Sequence, residues 1–402
     1  MKRYIFLTNT IGSIGGSQLY ISRKVDYLKK YNWDVEVYYT DFGNVMIENL
    51  KPYLPNHLQI LSVPFQIVTK KQRKNVLNKF TASEYTIVES HLDGLSIWGE
   101  YIAKHIRAKH IVYLLCEHFP PLSDSLGTFL RFKLRQKLLY GITSESIPAL
   151  FREDFDGSLY KLLAVGAFSS VGGNDERISA IPKADYTILS LGRLDKPYIP
   201  FMIASVKDFS EEYNLSKINL IVIGDSQYRD KLFEPLNSIH NIHVFQLGNM
   251  SPIPQNVFTI SDVAIATAGC VVVTSRNDVP TIVVDGNDYS AIGVMGYTTK
   301  NSLFRDVEEP PVRIKSLLED ILIKKMYPKK GIRNTDSPID YSAHQRIIDQ
   351  DFNGEYYDVS GECTSNKITL ENIISRCLGW RMYLYYMRLK TIIKRLIRHW
   401  NQ

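Results

Sequence analysis

Short runs of β-branched and aliphatic residues alternate with amphipathic helical stretches along most of this chain, and the alternation stops and restarts once near the middle. In the first half the candidate strands are 4–9, 34–39, 58–63, 86–90 and 110–116, with helices over 17–31 and 95–106. In the second half, strands at 187–191, 219–223, 242–245, 263–266 and 281–285 alternate with helices around 201–213 and 228–237. Strands this uniformly apolar, separated by helices, form parallel sheets covered on both faces. With 402 residues the chain has room for two of them. The pattern predicts an α/β protein of two Rossmann-like domains facing each other across a cleft, with ligand loops at the carboxyl ends of the strands. The break falls near Ala180-Ile-Pro-Lys-Ala. Residues 1–180 are then an N-terminal domain, 181–345 a C-terminal domain, and 346–402 an irregular segment ending in a helix.

Composition narrows the class. Hydrophobic residues are 45% and charged residues 22%, as in soluble globular proteins. No apolar run reaches the roughly 18 residues of a membrane-spanning helix. The stretch after Met1-Lys2-Arg3 is apolar but short, lacks a small-residue cleavage site and leads into a glycine-rich loop, so it reads as a first buried strand. Cys116, Cys270, Cys363 and Cys377 are far apart and show no paired metal spacing, which fits a reducing cytoplasm. The net charge is +6, and six basic residues with no acid lie between Trp380 and Gln402, so the body is close to neutral. A neutral body argues against nucleic-acid binding.

That tail is an amphipathic helix by its spacing. Met382, Tyr385, Tyr386, Leu389, Ile392, Ile393, Leu396 and Trp400 share one face, and Arg381, Arg388, Lys394, Arg395 and Arg398 occupy the other. A basic helix with aromatics at both ends suits the surface of an anionic membrane, or it packs on the body; the two roles can be combined along its length. The expected location is cytoplasmic, peripheral at the inner face of the membrane.

Three regions carry residues suited to chemistry. The loop Thr10-Ile-Gly-Ser-Ile-Gly-Gly-Ser follows a strand and opens a helix, where Gly15 and Gly16 allow close approach of a ligand to backbone N–H groups and Ser17 fits an N-cap. His91 with Asp93, and Glu117 with His118, sit at the ends of two consecutive strands, on one edge of the sheet. A carboxylate or imidazole there can accept the proton of an attacking hydroxyl, and His118 is the favoured positioning or acid/base residue. The third region is Ser190-Leu-Gly-Arg193-Leu-Asp-Lys196, where two cations follow a strand.

The paired glycines after the first strand, together with the Arg193–Lys196 segment, resemble the retaining glycosyltransferases of the GT-B fold, family four and its relatives. The resemblance implies that Arg193 and Lys196 hold the diphosphate of a nucleotide-sugar donor. It sets Leu220-Ile-Val-Ile-Gly224 near the nucleotide and Phe245-Gln-Leu-Gly248 beside the base. The Ala268-Gly269-Cys270 turn matches the family's glycine-rich turn, with the amides of Gly269, Cys270 and Val271 facing a phosphate. The family's two glutamates, eight positions apart around this turn, are both missing from Ser261 to Asp285, so the donor signature is degenerate. Ile142-Thr-Ser-Glu-Ser-Ile-Pro resembles the last strand and polar loop of the family's first domain.

These features predict a metal-independent, retaining hexosyltransferase of bacterial surface polysaccharide synthesis, with no cofactor beyond the nucleotide-sugar substrate. Its partners are that donor, a glycan or lipid-linked glycan acceptor, and the membrane surface. The alternatives are a degenerate GT-B protein that binds a glycan or a companion transferase, and another two-domain enzyme on this fold such as a sugar-nucleotide epimerase.

Overall fold

The structure, a computed structural model, describes residues 1–12, 14–41, 43–91, 93–115, 122–142, 144, 146–162, 170–213, 217–225, 229–306, 308–331, 340–359 and 370–400. The chain divides into two compact units. One comprises Met1–Ser13, Tyr20–Val165 and Asp340–Gln402, the other Ile14–Leu19 and Gly166–Ile339.

The first unit runs β1 (Lys2–Thr8), α1 (Gly16–Lys30), β2 (Asp34–Tyr39), α2 (Lys70–Leu77), β3 (Tyr85–His91), α3 (Asp93–Ile106), β4 (Lys109–Leu114), α4 (Asp124–Arg135), β5 (Leu139–Gly141) and α5 (Ser146–Phe151). Its five strands pair in parallel in the order β2-β1-β3-β4-β5. Strand alternation splits β1 between two faces. Ile5 and Leu7 join a core with Val88, Trp98 and Ile102, while Tyr4 and Phe6 lie beside Lys24 of α1 on the other face. The chain order reverses between β1 and β3, which makes their carboxyl ends the switch point of this sheet.

The strand expected over 58–63 does not form. Its residues wind in tight turns, with Leu61 N bonded to Leu58 O and Val63 N to Ile60 O. Leu58, Ile60, Leu61 and Val63 are all buried, so the segment has no alternating polar face. Pro52, Pro55 and Pro64 around it withhold ladder donors, and the Trp98 indole donates to Val63 O at 3.1 Å.

The second unit runs α6 (Glu176–Ser179), β6 (Tyr186–Leu191), α7 (Ile199–Tyr213), β7 (Ile218–Ile223), α8 (Arg229–Leu232), α9 (Glu234–Asn237), β8 (Ile242–Gly248), α10 (Gln255–Ile260), β9 (Val263–Ala266), α11 (Gly269–Arg276), β10 (Thr281–Val284), β11 (Ala291–Val294) and α12 (Ile314–Leu318). The sheet order is β11-β10-β9-β6-β7-β8, parallel except for β11, an edge strand that the sequence pattern did not reveal. The helix expected over 228–237 is broken into α8 and α9. Pro235 lies in the first turn of α9, where its missing N–H costs nothing, and a helix restarts there. The switch point of this sheet lies between β6 and β9.

The segment from residue 340 onward, with α13 (Ser342–Asp349), α14 (Leu370–Ile373) and α15 (Trp380–Trp400), groups with the first unit. Lys109 at the start of β4 fixes it, its Nζ donating to Ile347 O, Ile348 O and Gln350 O at 2.6–2.8 Å. These are carbonyls at the end of α13, the orphan acceptors of a helix C-terminus. Helix α15 uses two faces. Tyr383, Leu384 and Met387 pack on the first-unit core, while Met382, Tyr385, Leu389, Ile392 and Ile393 are exposed. No helix among the described residues is long and apolar enough to cross a membrane.

Candidate functional site

At the second-unit switch point, the loop after β6 meets the turn after β9. Three glycine-dependent features shape it. Gly192 has φ +134° and Gly224, after β7, has φ +152°; a Cβ on Gly224 would sit only 1.8 Å from Gly192 O. Gly248 ends β8 and its carbonyl accepts from Gly224 N at 3.0 Å. A Cβ on Gly192 would lie 3.4 Å from Cys270 Sγ, so the two strand-end loops are in contact.

The turn itself is strained. Ala268, the N-cap of α11, has φ 56° and ψ −132°, a conformation costing a non-glycine residue about 1–3 kcal/mol. It carries no side-chain cap, and no acid occupies the first turn of α11, so neither offsets the positive end of the helix dipole. Val271 N donates to Ala268 O at 3.1 Å, which corrects the expectation that its amide is offered to a phosphate.

Buried hydroxyls gather around this turn. Eight buried side-chain polar atoms among the described residues lack a hydrogen-bond partner, and three of them, Ser190 Oγ, Tyr198 OH and Thr267 Oγ1, belong to this switch point. Ser190 is in β6, Tyr198 precedes α7, and Thr267 follows β9; all are at most 5% exposed. Burial, then the neighbouring Cys270 thiol, push the Tyr198 phenol well above its ordinary pKa, with Ser190 close enough to oppose them. Ser190 and Tyr198 lie close enough to satisfy each other in part, which leaves Thr267 Oγ1 without a partner; a buried hydroxyl in that state costs about 1–3 kcal/mol, so the cluster favours a ligand that brings oxygen. None of the three was singled out by sequence. The available signal was a hydroxyl at each strand end flanking a glycine turn.

Arg193 and Lys196 lie on the loop after β6. The Arg193 guanidinium stands 3.5 Å from Asp195 and its side chain is 58% exposed, so it faces solvent beside an acid of its own loop. Lys196 is half-buried, and its carbonyl accepts from Ile199 N at the start of α7.

In the first unit, His91 does not reach the expected edge. His91 is 2% exposed, with Nε2 2.7 Å from Glu89 Oε1 and its ring between Phe6, Tyr20 and Tyr113. It therefore points into the unit and not to the strand-end edge, because β3 alternation puts it on the Glu89 face. Glu89 also accepts from Tyr4 OH at 2.5 Å, Tyr20 OH at 2.9 Å and Lys24 Nζ at 2.6 Å. Burial raises the Glu89 pKa, but Lys24 and His91 outweigh it and hold the carboxyl well below the usual range. Lys24 reaches His344 Nδ1 at 3.3 Å, which joins α13 to the network. Asp93 opens α3; Glu117 and His118 lie outside the described residues.

The first loop also differs from expectation. Gly15 O accepts the Leu19 amide, which makes Gly15 the cap and puts Ser17 inside the first turn of α1, after Gly16. Elsewhere in the loop, Gly12 packs backbone to backbone on Gly43, where a Cβ on Gly12 would fall 2.4 Å from Gly43 Cα. Within the loop, Gly12 N donates to Thr10 Oγ1 at 2.9 Å.

No protein-family model matches the chain, and no curated protein sequence matches it. Among solved structures it is similar to a glycosyltransferase from Rickettsia africae, with 15% identity over 90% of this chain and 97% of that one and a TM-score of 0.52. It also aligns with S. aureus MnaA in a co-structure with UDP, at 13% identity over 87% and 95% of the two chains and a TM-score of 0.48. S. aureus TarM, in complex with Fondaparinux, α-GlcNAc-glycerol and UDP, aligns at 9% identity over 97% and 99% with a TM-score of 0.48. The first likeness carries the fold, and the fold alone. The chain has the GT-B type of fold, with two Rossmann-like α/β sheets and a C-terminal helix.

Proposed function

We propose that this chain transfers a sugar from a nucleotide-diphosphate donor to a lipid-linked glycan acceptor at the inner face of a membrane, in the synthesis of a bacterial surface polysaccharide. The observation that supports this best is the cluster of buried hydroxyls, Ser190, Tyr198 and Thr267, beside the uncapped end of α11. Oxygen-rich phosphate and sugar groups would satisfy them, and the helix end favours negative charge. Arg193 would leave Asp195 for the diphosphate and, with Lys196, stabilise the charge that develops as the sugar departs. In a retaining front-face reaction the leaving phosphate takes the acceptor's proton, so the site needs no strong base. His118 and Glu117 are the first-unit candidates for positioning the acceptor hydroxyl.

Helix α15 supplies the membrane part of the proposal. Its exposed Met382, Tyr385, Leu389, Ile392 and Ile393 alternate with Arg381, Arg388 and Lys390, a surface suited to anionic headgroups. The test is incubation with a panel of sugar nucleotides, a polyprenyl-linked acceptor and anionic vesicles, with nucleoside diphosphate release as readout. Release should persist under chelation, since the reading is metal-independent. No release across the panel would sink it.

A second reading, a catalytically degenerate glycan-binding or partner subunit, is favoured by one observation. Residues 263–276, which span β9 and α11, contain no acid to grip a ribose. No thermal stabilisation by nucleoside diphosphates, together with no release from any sugar nucleotide, would select it.

A further inference from the structure

A half-open cavity of about 220 Å³ lies in the first unit at the carboxyl edge of its sheet. Gly94, the second residue of α3, and Ser123, the N-cap of α4, are on its wall, and these helices follow β3 and β4. Its floor is carbon: Leu61, Val63, Phe65 and Val359 are each at most 3% exposed. The exposed serines Ser62 and Ser123 are on the rim. A Cβ built on Gly94 meets no atom within 4 Å, so the space extends over this residue.

We infer that this cavity takes the first carbons of the alkyl or isoprenyl chain on a lipid-linked acceptor, with the rim serines on the polar group that follows. The inference rests on the acceptor half of the proposed function. Two observations select a lipid chain. The wall segment Leu61–Gln66 continues to Ile67, whose carbonyl accepts from buried Ser375 Oγ at 2.9 Å. Ser375 lies just ahead of α15, so the helix with an exposed apolar stripe and basic flanks is fastened beside the cavity wall. A chain leaving a membrane surface held by α15 reaches an apolar site on the same unit. The size also fits, since 220 Å³ is room for roughly seven water-sized groups, and a methylene is about that large.

The experiment is direct binding by calorimetry of n-alkyl glucosides with two to ten carbons, each below its micelle concentration and with no nucleotide present. Affinity should tighten about fourfold per added methylene and level off at roughly seven or eight carbons. Gly94→Leu, which fills the space without a backbone clash, should flatten the series. Ile97→Ala, which enlarges the cavity, should move the plateau to a longer chain and keeps the test open if Gly94→Leu does not fold. Affinity independent of chain length overturns the inference, and so does an unchanged series in both variants. Because no donor is used, this assay can fail while nucleotide release succeeds, and the reverse.

Discussion

Replacing Glu89 with glutamine removes the one negative charge at the centre of four donors. In the protein the carboxylate accepts from Tyr4, Tyr20, Lys24 and His91. A glutamine offers one oxygen, while its NH₂ faces two groups that also donate. Two hydrogen bonds are lost, and the Lys24 ammonium, 3% exposed, keeps its burial without its counter-charge. Breaking one side of such a pair costs about 3–5 kcal/mol. With an m-value of about 2 kcal/mol per M urea, the midpoint should fall by roughly 2 M. All four tryptophans, Trp33, Trp98, Trp380 and Trp400, belong to the first unit, so their fluorescence reports its unfolding separately from the second unit. Adding Lys24→Met to Glu89→Gln should restore most of the loss, because no buried charge is then left unpaired. A midpoint shift below about 0.5 M in the single variant would refute the reasoning, as would a double variant no more stable than the single one.

Arg193→Ala should weaken nucleoside diphosphate binding at least about tenfold while leaving the melting temperature unchanged, since its side chain is largely exposed; calorimetry checks both. Ala268→Gly should stabilise the second unit by about 1 kcal/mol by relieving its positive φ, measured by circular dichroism melting. The first unit should lose stability in acid. Burial lowers the His110 pKa to about 4 from an ordinary 6.5. Glu100, which burial would raise, is brought down to about 2 from 4.5 by His110, Lys133 and the Tyr357 amide. In both groups the unfolded chain binds protons that the folded one does not, so the urea midpoint should decline as the pH falls from about 6.5 toward 2. A midpoint that rises between pH 6.5 and 4 would contradict the assigned environments of His110 and Glu100.

Apolar strands and helix periodicity made both sheets legible, because a parallel strand buried on two faces has to be apolar along its length. Asp34–Tyr39 and Val263–Ala266 have the ends read from sequence. Edges were harder. Ala291–Val294 pairs antiparallel through three register partners, and Leu139–Gly141 is three residues long, so neither carries a periodic signal. The 58–63 run shows the converse, an apolar segment buried as turns. The loops after β6 and β9 were found because glycine punctuates them, whereas the Ser190, Tyr198 and Thr267 hydroxyls depend on which loops meet. His91 was misjudged for the same kind of reason: position at a strand end does not say which face the ring takes.

Lys109's grip on the end of α13 has a consequence for biosynthesis. The second unit occupies an interruption in the first unit's chain, so a ribosome completes Gly166–Ile339 before it has made the carbonyls that Lys109 needs. Until residues 340–350 emerge, a buried ammonium and the Lys24–Glu89 pair lack part of their surroundings, so the first unit, its five strands already made, has to wait for α13 while the whole second unit is synthesised.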